Sequence, residues 1–375
     1  MKDTIILTDE PTQKDHRVLK TIKLYDKPII IDCRKIDILK YSKLKTVFFE
    51  IILLIKSLLF SFYYWKILYI KYKIKPKGFL AGLKKSIYFH IKSKQVSSSI
   101  QKQYQMQEIQ SIYTNDLFCG TIGNKLYQQY NTPYIYDAHE VEFHRNRKNG
   151  FLRVTYDILL EKEVIQKAQK IIVVNKPIKE LYMDIYHIPE NKISIVDNNH
   201  FTPYLGYALK HFSPTIQEVA ITYVGGGILG RKLEALAQEA NKLNINIYSY
   251  FLVDPPKLIS EYNWYLGSKD YLKELLELCT KTHLAMWSCT EDICLSYRLS
   301  LPNKFFQAMA IGIPVIAYKG TYLSEIVKKY NLGYIYDDTN FHLIIEKLKN
   351  NKEYYNLLES IAIFQEKLFI DKLEL

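Results

Sequence analysis

Strand-like and helix-like segments alternate along the 375-residue sequence, and this alternation constrains the fold more than any other feature. In the first half, six short hydrophobic runs have the composition of strands. They lie at 4–7, 28–32, 111–113, 134–137, 170–174 and 193–196. Helical periodicity separates them, most clearly at 153–169 and 176–186. Strands that alternate with helices predict a parallel sheet with helices on its faces.

The pattern begins again after a polar, proline-containing stretch at 198–214. The second set comprises strands at 219–224, 245–252, 284–287 and 314–318, and helices at 231–243, 270–280, 303–311, 322–329 and 340–350. A chain of this length fits two domains. We therefore predict an α/β fold of two doubly wound, Rossmann-like domains that face each other across a cleft, with ligands at the carboxyl ends of the strands. The predicted parts are a first domain at 1–198, a linker at 199–218, a second domain at 219–350 and a C-terminal helix at 351–375 that packs on the first domain.

Positive charge is concentrated in the first half. Residues 35–102 contain fifteen Lys or Arg and two acidic residues, Asp37 and Glu50, whereas residues 201–375 contain eighteen basic and nineteen acidic groups. A one-sided cationic surface attracts anionic lipid head groups or nucleic acid phosphates. No zinc-finger spacing, RNA-binding strand motif or basic heptad region accompanies this charge, so the sequence favours an anionic membrane surface and no nucleic acid.

The apolar segment 47–74 lies within this basic region. Glu50, Lys56 and Lys66 divide it into pieces shorter than the roughly 20 apolar residues of a spanning helix. Aromatic side chains beside lysines are typical of a helix at a membrane interface. A buried core helix with a solvated basic face is the alternative. The predicted membrane or acceptor face consists of Phe60, Phe62, Tyr63, Tyr64 and Trp65.

The cysteines and the first ten residues indicate where in the cell the protein is expected. Five Cys are scattered without a CxxC pair, which predicts neither a disulfide framework nor a zinc cluster and fits a reducing cytosol. The first ten residues lack the long apolar region of a signal peptide. We expect a cytoplasmic protein, peripheral on the inner face of the plasma membrane.

A glycine-rich turn follows the first strand of the second half. Gly226 and Gly227 lie in the string VGGGILGRK, which Arg231 and Lys232 complete. Free N–H groups where a strand leads into a helix favour a phosphate, and two cations favour an anion. The segment 225–230 also fits the dinucleotide pattern G-x-G-x-x-G, and a tight turn without ligand is the other alternative.

A second helix start lies in the string SLPNKFFQAMAIGIPVI at 300–316. Its first turn carries Asn303 and Lys304, and Gly312 ends the helix. Lys304 and Gln307 are three residues apart, so an ammonium for a phosphate and an amide for a ribose hydroxyl would project from one face. The alternative is a solvated surface lysine.

The third string, PYIYDAHEVE at 133–142, is a strand that ends in titratable groups. Asp137, His139 and Glu140 stand where α/β enzymes carry out chemistry, and they suit acid–base or hydroxyl-orienting roles. A hydrogen-bonded loop histidine is the alternative for His139. A metal site is not predicted, because no matching His or Cys pair accompanies the cluster.

Together and in this order, the three strings resemble those of retaining glycosyltransferases of family four, of the bacterial surface-polysaccharide type that acts in capsule, lipooligosaccharide or O-antigen synthesis. YDAHE at 136–140 and LPNKFFQAMAIGIPV at 301–315 resemble its two specific motifs. DHRV at 15–18 and IYTND at 112–116 resemble two weaker ones. The resemblance implies a GT-B fold, a nucleotide-diphosphate sugar bound by the second domain, a lipid-linked or glycan acceptor bound by the first, no cofactor and no catalytic metal.

The resemblance also implies roles for single residues. Arg231 or Lys232, with Lys304, would neutralise the leaving diphosphate. His139 would bind hydroxyls of the donor sugar, and Asp137 and Glu140 would orient groups or act as bases. Retention would follow from displacement on one face of the sugar, assisted by the departing phosphate.

Two positions depart from the family pattern. Gln307 stands where the family has a Glu that accepts hydrogen bonds from the ribose, and the glycine-rich loop after the first strand is missing near 10–15. A nucleotide-sugar epimerase of the same architecture, an NAD-dependent enzyme and a binder without turnover remain alternatives to the transferase.

Overall fold

In the computed structural model, the described residues are 3–9, 16–25, 28–36, 43–145, 149–199, 201–226, 230–251, 264–266, 271–291 and 294–373. Contacts divide the chain into two compact units. Unit 1 comprises Met1–Asp197 with Cys294–Ser296, and unit 2 comprises Asn198–Ile293 with Tyr297–Leu375. Each unit contains one parallel sheet covered by helices, so the predicted α/β class with two doubly wound domains is confirmed.

The strands of both units follow the predicted alternation closely. In chain order they are β1 Asp3–Thr8, β2 Ile29–Asp32, β3 Ile109–Asn115, β4 Tyr134–Ala138, β5 Lys170–Val173, β6 Ile193–Ile195, β7 Val219–Gly225, β8 Asn246–Phe251, β9 Trp264–Leu266, β10 His283–Trp287, β11 Val315–Tyr318 and β12 Gly333–Tyr336. Within the described residues, the order is β2-β1-β3-β4-β5-β6 in unit 1 and β12-β11-β10-β7-β8-β9 in unit 2. The sequence pattern did not predict β9 and β12.

Fourteen α-helices are present in the described residues. In chain order they are α1 His16–Ile22, α2 Lys43–Tyr72, α3 Leu83–Gln103, α4 Asp116–Tyr130, α5 Phe151–Lys167, α6 Lys176–Tyr186, α7 Tyr207–Lys210, α8 Leu233–Lys242, α9 Tyr271–Leu278, α10 Leu295–Leu299, α11 Asn303–Ile311, α12 Tyr322–Tyr330, α13 Phe341–Lys349 and α14 Asn351–Gln365. Parallel strands put all their carboxyl ends at one edge of each sheet, and the loops at that edge carry the candidate site residues.

The structure corrects two details of the predicted domain plan. Residues 199–218 are no separate linker, because Ala208 is buried and Phe201 and Phe212 pack on the core of unit 2. The helix predicted to pack on the first domain, α14, belongs to unit 2 instead, where Ile361 and Phe364 are buried in the same core. The apolar side chains of both segments therefore pack in the core of unit 2.

Helix α2 packs on unit 1 through a narrow stripe of its surface. Leu53, Ser57, Ser61, Tyr64, Trp65 and Leu68 are buried. Spacings of three and four residues put them on one side of the helix. The Ser61 hydroxyl bonds to that of Thr155 at 3.1 Å, and the Trp65 indole N–H donates to the Phe151 carbonyl at 2.8 Å.

The prediction for the aromatic cluster of α2 is therefore wrong in part. Tyr64 and Trp65 are core residues, whereas Phe60, Phe62 and Tyr63 are exposed. By length and composition alone, Glu50–Tyr72 could cross a membrane, the one such stretch among the described helices, and about a third of it is buried in unit 1. A buried core helix passes the same test, so composition does not decide what this helix does.

A buried carboxyl group joins three elements of unit 1. Glu161 on α5 is fully buried and accepts hydrogen bonds from the hydroxyls of Tyr136 on β4 and of Tyr182 and Tyr186 on α6, at 2.6, 2.6 and 2.5 Å. Burial raises the pKa of Glu161 to about 7, although the three hydroxyl donors oppose this rise. The carboxyl group thus fixes α6 against the sheet and titrates near neutral pH.

This shift predicts a pH-dependent stability. Between pH 4.5 and 7 native Glu161 keeps a proton that the unfolded chain has lost, so its contribution is full below pH 4.5 and is lost as pH rises through 7. Glu161→Gln should remove this component, up to about 3 kcal/mol, because the amide can replace the protonated carboxyl in its bonds to the tyrosines. Urea unfolding at pH 5 and pH 7 measures it. Exposed Glu180→Gln is the control, and equal pH dependence in wild type and Glu161→Gln would contradict the assignment.

Candidate functional site

The side chain of Lys304 lies at the centre of the candidate site in unit 2. Lys304 is in the first turn of α11 and is 6% exposed. Its Nζ lies 4.4 Å from the centroid of the Tyr223 ring on β7. Burial, and secondarily the charge of Arg231, hold the pKa of the Lys304 ammonium well below its ordinary value. Among the residues that the structure describes, no carboxylate forms an ion pair with this ammonium. The surface alternative for Lys304 is therefore wrong.

The end of β7 requires glycine beside this lysine. Gly225 has φ +142°, a conformation that residues with a side chain rarely adopt. A Cβ at this position would lie 3.2 Å from the Tyr223 hydroxyl and 3.8 Å from Lys304 Nζ. The Tyr223 hydroxyl donates to the Gly226 carbonyl at 2.6 Å and so fixes the start of the turn. Gly227 lies outside the described residues, so its predicted role stays a prediction.

The two cations after the glycine turn have different environments. The guanidinium of Arg231 lies 4.5 Å from the centre of the Tyr297 ring, and its backbone carbonyl accepts the Trp287 indole N–H at 3.1 Å. Lys232 Nζ contacts carboxylate oxygens of Asp338 at 2.7 Å and Glu291 at 3.5 Å. Burial disfavours the Lys232 ammonium, but the bond to Asp338 and the charges of Tyr318, Asp338 and Glu291 together outweigh burial and raise its pKa.

The contacts of the two cations favour Arg231 over Lys232 as the partner of Lys304. Lys232 already neutralises two carboxylates, and its φ of +52° places it at the left-handed turn that begins α8. Arg231 lies close enough to Lys304 to lower the pKa of its ammonium. Arg231 and Lys304 are therefore the candidate positive pair, whereas Lys232 links the turn to Asp338 after β12.

The other two predicted residues of α11 differ in exposure, since Asn303 is exposed and Gln307 is buried. Asn303 is exposed at the first helical position, and the preceding Pro302 has no side chain that could cap the helix N–H groups. Gln307 is 6% exposed, and its amide donates to the Tyr271 hydroxyl on α9 at 2.6 Å. The sequence patterns missed Tyr223 and Tyr271, because an aromatic residue in a strand or helix reads as core until its neighbours are known.

In unit 1 the strand ends gather the residues of the YDAHE string. Asp137 is buried and accepts the Tyr113 hydroxyl at 2.6 Å. His139 Nε2 lies 3.1 Å from Asn115 Oδ1 and 3.7 Å from Asp137 Oδ2, and 15% of its side chain is exposed. The Asn115 amide in turn donates to the Leu7 carbonyl at 2.8 Å. Side chains from β3 and β4 thus orient the imidazole, and these contacts agree with the hydrogen-bonded loop histidine as well as with a site residue.

Glu140 belongs to a neighbouring charged cluster. Arg145 contacts Glu140 at 3.0 Å, Glu142 at 2.8 Å and Asp116 at 3.3 Å. Burial disfavours the guanidinium, but these three carboxylates outweigh it and raise the pKa of Arg145 well above its usual range. The Ser296 hydroxyl donates to the same Glu140 oxygen as Arg145 does, at 3.0 Å. Glu140 is therefore held as an ion-pair partner, which favours an orienting role over a base.

A pocket lies beside this cluster, between α3, α4 and α5. Its polar lining includes Asp9, His90, Asp116, Glu142, Arg145 and Asp157, and its apolar lining includes Phe89, Phe118 and Leu160. Among the described residues, no group of three His, Cys, Asp or Glu side chains has the arrangement of a metal site.

The chain matches known proteins in structure and not in sequence. No protein-family model matches it, and no curated protein matches it in sequence. Sucrose-phosphate synthase from Thermosynechococcus elongatus is 17% identical with a TM-score of 0.51, over 76% of this chain and 79% of that chain. Anabaena HepE in complex with UDP-glucose is 11% identical with a TM-score of 0.54, over 73% and 78%. The same protein with UDP and glucose has a TM-score of 0.52 at 11% identity, over 72% and 76%.

Identities this low establish the fold alone. The neighbours are glycosyltransferases with two parallel-sheet α/β domains, and both units of this chain have that construction. The chain therefore has the GT-B fold.

Proposed function

We propose that this protein transfers a sugar from a nucleotide-diphosphate donor to a lipid-linked or polysaccharide acceptor in the cytoplasm, with retention, in cell-surface glycan synthesis. The observation that carries the proposal is the buried Lys304 ammonium, which has no carboxylate partner among the described residues and lies at the start of α11. A buried charge without a partner is costly, and a bound diphosphate would provide the missing negative charge.

Several hydrogen-bond donors surround Lys304, and together they suit a diphosphate better than a single carboxylate. Uncapped N–H groups at the start of α11 supply further donors, and Arg231 adds a guanidinium with several. Gly225 keeps side-chain atoms out of the space next to Lys304 Nζ. These groups all favour the anionic part of a nucleotide sugar, and the UDP complexes of HepE motivate UDP as the first nucleotide to test.

The chemistry follows from the positive pair. In the proposed reaction the bond between the anomeric carbon and the diphosphate oxygen breaks, and its electron pair stays on the phosphate. Lys304 and Arg231 stabilise that developing charge. The acceptor oxygen bonds to the anomeric carbon from the same face and passes its proton to the departing phosphate. In unit 1, we assign sugar-hydroxyl binding to His139 and the orientation of its ring to Asn115 and Asp137.

The donor site is tested by binding of UDP, GDP and ADP, measured separately by calorimetry. Lys304→Ala should weaken the tightest of these by about 1.5–3 kcal/mol, roughly ten- to a hundredfold, because a charge-assisted contact is lost. Lys281→Ala is the control, since Lys281 is exposed and precedes β10, at the opposite edge of the sheet. No binding of any nucleotide to wild type, or equal binding by both variants, would contradict the proposal.

Proton uptake provides a second test of the same site. The diphosphate favours the charged form of a lysine whose pKa is held low, so at a pH above that lowered pKa binding should take up a proton, and the affinity should fall as pH rises further. Lys304→Arg should bind without this uptake, because a guanidinium stays protonated. Titration in buffers with different ionisation enthalpies measures the proton count, and uptake that persists in Lys304→Arg would assign it to another group.

Gln307 tests contact with the ribose. A hydroxyl can donate as well as accept, so Tyr271 can reverse its bond to Gln307 when a carboxylate replaces the amide. A carboxylate accepts a ribose hydroxyl with about 1.5–3 kcal/mol, against about 1 kcal/mol for a neutral amide. Gln307→Glu should therefore lower the Kd of a nucleoside diphosphate and leave that of a sugar phosphate unchanged. Equal changes for both ligands would place residue 307 away from the ribose.

The reaction class is tested by following the fate of the nucleotide sugar that binds. Release of nucleoside diphosphate, with sugar on an added glycan or lipid acceptor or on water, is the expected result. Conversion of the donor into an isomeric nucleotide sugar without release would identify an epimerase. Binding without either change would identify a binder without turnover.

A further inference from the structure

Helix α2 exposes a long apolar surface on unit 1. Six large apolar residues are each more than half exposed: Ile55, Leu58, Leu59, Phe62, Tyr69 and Ile70. Phe62 reaches 78% and Leu59 reaches 71%. The six cover about 23 Å along the helix, at a rise of roughly 1.5 Å per residue. The exposed Lys66 lies between Phe62 and Tyr69 on the same side of the helix. An exposed apolar surface of this length on a folded unit marks a binding surface.

The surface continues beyond the helix. The Phe62 ring packs edge-on against Phe151 at 5.5 Å, and Phe151 stacks on Phe79 at 5.8 Å between ring centroids. Phe79 and its neighbour Leu80 are 55% and 59% exposed in the turn before α3. The apolar surface therefore extends from α2 to this turn, and we call this whole area the α2 face.

The charge around the α2 face is mainly positive, although Lys71 at the end of α2 pairs with the Asp184 carboxylate of α6. The exposed lysines Lys56, Lys66, Lys73, Lys75, Lys84 and Lys85 lie on α2, on the turn after it and at the start of α3. The one carboxylate of α2, Glu50, is buried and points inward, where it contacts His90 and Lys94 and accepts the Tyr156 hydroxyl. Outward-facing apolar and aromatic side chains with lysines around them are what an interfacial helix uses to bind anionic lipid.

Two other occupants fit less well. A helix surrounded by lipid would not keep one side packed through buried serines and a buried carboxylate, as Ser57, Ser61 and Glu50 are here. A second copy of the chain would bring two lysine-rich surfaces together, and like charges would oppose the contact. An anionic bilayer surface satisfies the apolar side chains and the lysines together.

We infer that the α2 face is a membrane-docking surface, which inserts Leu59, Phe62 and Phe79 among the head groups of an anionic bilayer while α2 stays packed on unit 1. This inference does not rest on sugar transfer. Of the predicted aromatic cluster, it commits Phe62 to lipid and assigns Tyr64 and Trp65 to the support beneath it.

Vesicle flotation of the full-length protein tests the surface. Wild type should bind vesicles that contain phosphatidylglycerol and not vesicles of phosphatidylcholine alone, with much of the binding lost at high salt because exposed charges are screened. Leu59→Gln with Phe62→Gln should bind at least tenfold less. The matched control is Ile363→Gln with Ile370→Gln, since these residues are 57% and 60% exposed in unit 2, and it should bind as wild type does.

Two double lysine variants separate the electrostatic contribution to vesicle binding from the apolar one. Lys84→Gln with Lys85→Gln should weaken binding at low salt and change it little at high salt, whereas Lys328→Gln with Lys329→Gln on α12 should have no effect. No flotation of wild type, equal binding to both vesicle types, or equal loss in the α2 variant and its control would overturn the inference. The inference would also be overturned if wild type formed a dimer in solution, bound no vesicles, and became monomeric in the Leu59→Gln, Phe62→Gln variant.

Discussion

The burial of the Lys304 ammonium is the constraint on which the construction of unit 2 depends. Its side chain lies over the Tyr223 ring, and the same tyrosine fixes the glycine turn through its hydroxyl. The other end of α11 is held by Gln365 of α14, whose amide donates to the Met309 carbonyl and accepts the Gly206 N–H. Contacts therefore hold α11 at both ends, and the ammonium lies against the Tyr223 ring at its first turn.

In unit 1, by contrast, carboxylates pair with the buried guanidinium groups. Arg145 is surrounded by three carboxylates, and Arg153, 1% exposed, contacts Asp157, the Asn149 side chain and the Phe143 carbonyl. The buried charges of that unit form closed networks that order loops, as satisfied polar networks do. The contrast supports the proposed ligand, because carboxylates pair with the buried Arg145 and Arg153, whereas among the described residues none pairs with Lys304.

Much of the fold could be predicted because local signals agree with it. The β/α alternation predicted ten of the twelve described strands, and β9 and β12 escaped because three or four residues carry too little pattern. The helix start at Asn303 and the strand end at Asp137 could be read from motifs, since each is encoded within a few residues. The pairing of Lys232 with Asp338, 106 positions away, has no local signal.

The predictions that the structure corrected concern residues whose surroundings depend on tertiary contacts. The apolar and aromatic residues of α2 suited both a core and a surface. Both Trp65 and Phe62 contact the Phe151 ring of α5, but Trp65 stacks on it and is buried, whereas Phe62 meets it edge-to-face and stays exposed. In the sequence Glu161 looks like an ordinary acidic residue of a helix, and only the structure shows the three tyrosines from other elements that surround it. Residues 199–218 resemble a linker in composition, yet their aromatic side chains complete the core of unit 2. Tertiary partners decided each case.

The central claim is that the buried ammonium of Lys304 binds the diphosphate of a nucleotide sugar. The most direct measurement is a crystal structure of the protein with the tightest-binding nucleoside diphosphate. The account predicts a phosphate oxygen within hydrogen-bond distance of Lys304 Nζ, with the first-turn N–H groups of α11 and the Arg231 guanidinium on the same diphosphate. A nucleotide bound elsewhere, with Lys304 still covered and without contact to phosphate, would contradict it.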